Sequence, residues 1–326
     1  MKKFIMASLV VSLVLLLAGG ALVFFALSRA EFDWNKLTVN AENETYDYAV
    51  SGAVQGIRID TKQADVRVVR STNSSCTVRA KASSRDACTA ETEDGVLTVT
   101  CVDDPHLPWY KRFWRQDDMT VTVFLPGDAY ERLEIATGSG DVYVSDALSF
   151  AAARAKTGSG DVEFIAPVTD DLSVTTSSGD VAVKRMGCKN ISLTTESGEV
   201  FLDTCRSESV SVVSSSGDLT ISKCSVRNMQ TNTASGGIAF SQVEASEQIR
   251  ATSSSGDILY MYSSTADLNI TAKSGDVTGT LTEPMLFDVR SDSGDISVPV
   301  SGGTNRCTVR TGSGDITFVL QENDEG

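Results

Sequence analysis

Residues 136–144 read ATGSGDVYV. Gly138 and Gly140 flank Ser139 and precede Asp141, a combination found in nucleophile loops, phosphate cradles, metal loops and plain corners. The rest of the chain decides among them. The triplet returns as Ser159-Gly160-Asp161, Ser178-Gly179-Asp180, Ser197-Gly198-Glu199, Ser216-Gly217-Asp218 and Ser235-Gly236-Gly237. It continues as Ser255-Gly256-Asp257, Ser274-Gly275-Asp276, Ser293-Gly294-Asp295 and Ser313-Gly314-Asp315. Successive central glycines are 19 or 20 residues apart throughout. Self-similarity at so fixed a period is the mark of a repeat architecture.

Apolar residues keep the same beat. Pairs such as Leu133/Ile135, Leu172/Val174, Ile191/Leu193 and Val210/Val212 stand seven and five residues before the glycine. Pairs such as Val142/Val144, Val162/Phe164, Val200/Leu202 and Ile316/Phe318 stand two and four residues after it. Alternation at period two predicts a half-buried strand on each side of the corner. A weaker inward position follows seven residues after the glycine, at Ala147, Met186, Cys205, Cys224 and Val243. One such unit buries too little apolar surface to offset the entropy of ordering it, so units must stack. The expected fold is all-β: a β-solenoid of about ten 19–20-residue turns over 121–320. The crossover preference makes it a right-handed β-helix. In this reading Gly140 lets the chain bend and Asp141 closes the turn.

The N-terminus carries a different signal. Lys2 and Lys3 follow Met1 in a short 1–3 tail, and 4–28 is an uncharged apolar run. As a helix it would be roughly 37 Å long, against a hydrocarbon core of about 30 Å. It is too long for a secretory h-region of about 7–15 residues, so a transmembrane signal-anchor is expected; cleavage after Ala26-Leu27-Ser28 is the alternative. The lysines place the N-terminus in the cytoplasm and the bulk of the chain outside the cell membrane. A linker is expected over 29–50, an N-terminal β region or cap over 51–120, and an acidic tail over 321–326. The last strand, Asp315–Leu320, runs into the acidic tail, whose charge would discourage edge pairing.

Within 51–120, Ala64-Asp65-Val66-Arg67-Val68 reads as a degenerate first corner. Asp94-Gly95 is a two-residue hairpin signal. Its register sets Cys88 opposite Cys101, a spacing that suits a disulfide. Cys205 and Cys224 share a repeat position and should stack, either bonded or as small buried hydrophobes; Cys307 replaces a core aliphatic. The segment 103–119, DDPHLPWYKRFWRQDDM, interleaves Trp109, Tyr110, Phe113 and Trp114 with Lys111, Arg112 and Arg115. It could cap the open end of the solenoid, or form a binding loop for a lipid headgroup, a glycan or an envelope protein.

The formal net charge of −15 argues against nucleic acid. His106 is the only histidine, and no catalytic or nucleotide-binding motif surrounds it. Basic residues sit at unrelated repeat positions, which does not favour a polysaccharide-cleaving cleft, so no enzyme and no cofactor are expected. The acidic residues that follow the glycines raise a sharper question. Asp141, Asp161, Asp180, Asp218, Asp257, Asp276, Asp295 and Asp315, with Glu199, should stack at strand spacing, interrupted by Gly237. Serine hydroxyls and corner N–H groups can offset their repulsion. Bound cations could do so too, which makes the column a weak metal candidate.

The stretch TVTVFLPGDAYERLEIATGSGDVYV (120–144), the repeated T-x-S-G-D-V-x-V and the ADVRV at 64–68 together resemble the bacterial putative-adhesin family of SGDV β-strand repeats, a domain of unknown function. The likeness covers roughly 45–320. It implies a β-solenoid with no established catalysis and no agreed ligand. It also implies an N-terminal anchor and a link to the Gram-positive envelope, including envelope-stress operons. The seven cysteines, the aromatic-basic loop and Gly237 depart from that pattern. The expected function is a membrane-anchored, extracytoplasmic binding or sensing surface; the alternatives are a structural spacer or self-assembling stalk, and a cation-dependent adhesin.

Overall fold

The computed structural model describes residues 44–82, 88–102 and 119–321. The apolar run at 4–28 expected to span a membrane, the candidate binding-loop residues Trp109 to Arg115 and nearly all of the acidic tail lie outside these residues. Among the described residues every element is a strand and none is a helix. They form a β-solenoid of about nine turns.

Two parallel sheets face each other across one core. The pre-corner sheet holds strands such as Asp171–Thr175, Gly187–Thr195 and Arg206–Ser214. The post-corner sheet holds Val181–Lys184, Val200–Asp203 and Leu219–Ser222. Neighbouring turns pair in register. Leu172, Ile191, Val210 and Met229 lie on successive rungs of one sheet, and Val181, Val200, Leu219 and Ile238 on those of the other. All eight are 2 % exposed or less. Burial of each such side chain contributes about 1.5–3 kcal/mol, and because every rung aligns, one turn's core supports the next. The extra residue of the Gly236–Gly256 turn is absorbed as a bulge between Ala245 and Gln248. In the longer Gly140–Gly160 turn Ala147 is exposed, contrary to the sequence pattern, and the shifted Leu148 takes the inward place at 2 % exposure.

The stack follows chain order from the corner at Gly140 to that at Gly275, but not at its ends. At one end Gly56–Thr61 and Asp65–Arg70 pair directly with the turn at Gly140, so Ala64 begins the column of corners. Later segments, Val96–Cys101 and Thr120–Leu125, lie outside them. Antiparallel strands Glu44–Ala49, Thr77–Ala82 and Cys88–Glu93 finish this end. Residues 44–49, placed above in a linker, are therefore an edge strand. The tyrosines of its ETYDYA alternate toward the sheet, a short period-two pattern that its polar composition concealed.

At the other end the final turn is inserted beneath the one before it. Asn305–Ser313 pairs with Ile258–Ser274 on one side and Met285–Ser291 on the other. Ile316–Leu320 likewise lies between Val277–Leu281 and Ile296–Ser297. The last strand in sequence is thus not the last in space. The edge belongs to 285–297, and the described residues form about nine turns where about ten were expected.

Candidate functional site

The Ser-Gly-Asp corner is built by stacking. A Cβ placed on Gly160 would lie 2.0 Å from the carbonyl oxygen of Gly140, and one on Gly198 would lie 1.8 Å from that of Gly179. No side chain fits there. Among corner glycines only Gly275 has positive φ, at 156°, so the glycines are required by the closeness of the next turn and not, as the sequence reading had it, by the bend.

Three residues earlier stands a buried hydroxyl. The N–H of Gly160 donates to Thr157 Oγ1 at 3.0 Å, and that hydroxyl donates to the Gly140 carbonyl at 3.1 Å. Thr137, Thr176, Thr195 and Thr233 repeat the arrangement. Serine replaces threonine at Ser253. Each buried hydroxyl is satisfied and ties two turns together.

The acidic column is a ladder. The Asp161 N–H donates to Asp141 Oδ1 at 2.9 Å, the Asp180 N–H to Asp161 Oδ1 at 2.8 Å, and the Glu199 N–H to Asp180 Oδ1 at 2.8 Å. Asp141 itself donates to Asp65. After a gap at Glu199, the Gly237 N–H donates to Asp218. After a second gap at Gly237, Asp276 donates to Asp257, Asp315 to Asp276, and Asp295 to Asp315. The rungs fail where the repeat lacks a short carboxylate. Charge-assisted bonds to main-chain N–H groups offset the repulsion of stacked carboxylates. Among the described residues no cluster of three or more His, Cys, Asp or Glu side chains has the geometry to hold a metal ion.

A second corner escaped the sequence entirely. Arg185, Thr204, Lys223, Gln242 and Tyr262, each six residues after a corner glycine, have φ between 51° and 56°. None is glycine or asparagine, so composition gave no sign of it. Toward the start of the pre-corner strands, Asp170, Lys189, Glu208, Arg227 and Glu247 stand nine residues before successive glycines and alternate in sign. Lys189 Nζ lies 2.5 Å from Asp170 Oδ1, and Arg227 Nε lies 2.6 Å from Glu247 Oε1. Basic residues here share a repeat position, contrary to the sequence reading. A shallow groove of about 380 Å³ beside them is lined by Arg206, Glu208, Arg227 and Glu244. Its mixed charge and open shape point to no single ligand.

All seven cysteines are buried, and a hydrogen bond with Cys205 lowers the Cys224 thiol. Cys88 and Cys101 face each other across the Asp94-Gly95 hairpin and are joined in a disulfide. Burial raises the Cys188 thiol to about 11 and the Cys307 thiol to about 12. Cys205 and Cys224 stack on adjacent turns as free thiols; a hydrogen bond with Cys224, then burial, holds Cys205 well above the ordinary range.

The outer surface of the pre-corner sheet is of another character. Ser173, Ser192, Ser211 and Gln230 form one column, and Thr175, Thr194, Val213 and Asn232 a second, on successive paired rungs. Thr252, Asn269 and Thr271 extend them past Arg250. Within these two columns four adjacent rungs carry no charge, in a chain of net charge −15, and Asp171 stands two residues before Ser173 on the same side. Their hydroxyls and amides make no hydrogen bond among the described residues, whereas the hydroxyls one residue beyond, Thr176 and Thr195, are fully used.

Comparison with known proteins agrees with this architecture. The family model described as Toastrack DUF4097 matches residues 54–318. No curated protein sequence matches the chain. A putative adhesin from Parabacteroides distasonis is 15 % identical, with a TM-score of 0.51 over 73 % of this chain and 98 % of that one. A putative adhesin from Parabacteroides merdae is 14 % identical, with a TM-score of 0.50 over 75 % and 98 %. A putative lipid binding protein from Parabacteroides distasonis is 19 % identical, with a TM-score of 0.48 over 86 % and 98 %. With the two putative adhesins, at these identities, the shared feature is the fold.

Proposed function

The chain belongs to the Toastrack DUF4097 family, and from that premise we propose that it is a non-enzymatic binding protein of the cell envelope. Its apolar run at 4–28 anchors it in the membrane, and its solenoid presents the pre-corner sheet outside. The names of its structural neighbours, adhesins among them, support this reading.

The observation that carries the proposal is the uncharged face from Ser173 to Asn232. Folding uses the inward side chains and the corner hydroxyls; it does not use these. Regularly spaced donors and acceptors without charge match a neutral, hydroxyl-rich polymer better than an anionic one. The ligand class is therefore an envelope glycan. The acidic column serves the corner instead, since its carboxylates bond the next turn.

The test is co-sedimentation of the full chain, in detergent, with insoluble envelope polysaccharide. Replacing Ser192 and Ser211 by glutamate places charge on two adjacent rungs without touching the core. Binding should fall at least tenfold, while far-UV circular dichroism remains β. Unchanged binding removes this face from consideration. A parallel deletion of 103–119 then asks whether the aromatic-basic loop is the contact.

A further inference from the structure

The two ends of the solenoid are finished differently. At the end near Ala64, antiparallel strands close the stack. At the other end no strand among the described residues lies outside the outermost turn, 285–297. Its inward side chains show the consequence. Phe287, Val289 and Val298 are only half-buried, and Ile296 is 44 % exposed. Their counterparts one turn inward, Cys307, Val309, Ile316 and Phe318, are at most 2 % exposed. Leu286, Val300, Val319 and Leu320 add exposures of 47, 93, 51 and 40 % around the same end. This is an open core rimmed by two strand edges, one in each sheet.

The described residues do little to cover it. The connection 298–304 folds back along the start of the edge strand, where the Gly302 N–H donates to the Met285 carbonyl and the Phe287 N–H to Ser301 Oγ. Beyond Phe287 the outer side of the strand pairs with nothing among the described residues. The five residues after Gln321 contain no apolar side chain. A single peptide strand would cover one edge and leave the other. A surface that brings two edges and an apolar centre together is the same end of a second copy.

We propose that two copies of this chain associate tail to tail about a two-fold axis through Val289. The edge is self-complementary in that arrangement. Phe287 uses its N–H outward, so Val289, two residues on, turns its N–H and carbonyl outward as well. Two antiparallel copies exchange both bonds at Val289. Antiparallel pairing also sets residues equidistant from the axis opposite each other on one face. Asp288 then faces the partner's Arg290, and Arg290 faces the partner's Asp288. Both side chains lie exposed on the outer surface, where Asp288 pairs with Arg310 and Arg290 with Asp292 of the same chain, partners that the dimer shares or exchanges. The open cores of the two copies meet beneath them, forming a closed isologous dimer.

The experiment is light scattering of the full chain in detergent micelles across a dilution series. A dimer that dissociates on dilution is expected. Val289→Pro removes the outward N–H without breaking the inner ladder, and should leave only monomer with its β circular dichroism intact. Arg290→Asp sets like charges opposite each other and should weaken the dimer at least tenfold. Asp288→Arg combined with Arg290→Asp should restore it. A monomer at every concentration overturns the proposal. So does a dimer that persists in both Val289→Pro and Arg290→Asp.

Discussion

The backbone N–H of Asp180 reaches down one turn to Asp161 Oδ1 at 2.8 Å. This bond gives the acidic column a structural task that asparagine can perform and alanine cannot. Asp161→Ala should therefore destabilise the solenoid by about 1 kcal/mol, the net value of one such hydrogen bond. Asp161→Asn should cost less than half of that. Urea unfolding of the two variants separates them. Equal losses would mean that the carboxylate charge matters more than its acceptor oxygen.

The corner glycines allow a sharper contrast. In Gly198→Ala the new Cβ would meet the Gly179 carbonyl at 1.8 Å, whereas around Gly187 nothing lies within 4 Å. Two turns must part to admit the first methyl group, and ladder bonds on both sheets part with them. Gly198→Ala should cost more than about 3 kcal/mol, within the range of severe core overpacking. Gly187→Ala should be neutral or gain up to about 1 kcal/mol through the unfolded chain. Thermal melts of both check the claim that proximity, not φ, selects glycine at the corner.

Much of this was legible in the sequence, and the failures have identifiable causes. The period located the corners, and the alternation located Leu172, Val174, Val181 and Val183, because a core shared by identical layers repeats its side chains. The hairpin at Asp94-Gly95 set Cys88 against Cys101 through turn geometry alone. Stack order at the ends was not legible. Turns of equal period present the same edges, so nothing in the phase says that Asn305–Ser313 lies inside Met285–Ser291. The uncharged outer face was also missed. Its serines and threonines read as ordinary solvent-facing strand positions until register aligned Ser173, Ser192 and Ser211.

The second corner stores strain. Lys223 is exposed and held at φ 51°, with its N–H donating to the Ser241 carbonyl. An L-residue in the left-handed region costs roughly 1–2 kcal/mol, which glycine avoids while losing some chain entropy of its own. Lys223→Gly should raise stability by about 0.5–1 kcal/mol, measurable as a higher urea midpoint at unchanged slope. A loss would show that the lysine stem packs on the neighbouring turn more than its exposure implies.

Tyr260 carries the opposite kind of cost. Its ring is fully buried and meets Phe240 edge-on at 6.2 Å, but its hydroxyl has no hydrogen-bond partner. Burial holds that phenol far above the ordinary tyrosine range. A folded-state value raised by burial means that stability is lost only when pH climbs past the unfolded value of about 10 and the buried hydroxyl must ionise on unfolding. Between neutral pH and that limit the group contributes a constant desolvation penalty. Tyr260→Phe removes the orphan oxygen while keeping the ring, and should stabilise the protein by about 1 kcal/mol at neutral pH. The same substitution should abolish the extra loss of stability that the wild-type chain shows above about pH 10. Melting temperatures of both proteins across neutral and alkaline pH make the comparison. A destabilised Phe variant would mean that the hydroxyl is satisfied after all, by a water bound between Tyr260 and the neighbouring core.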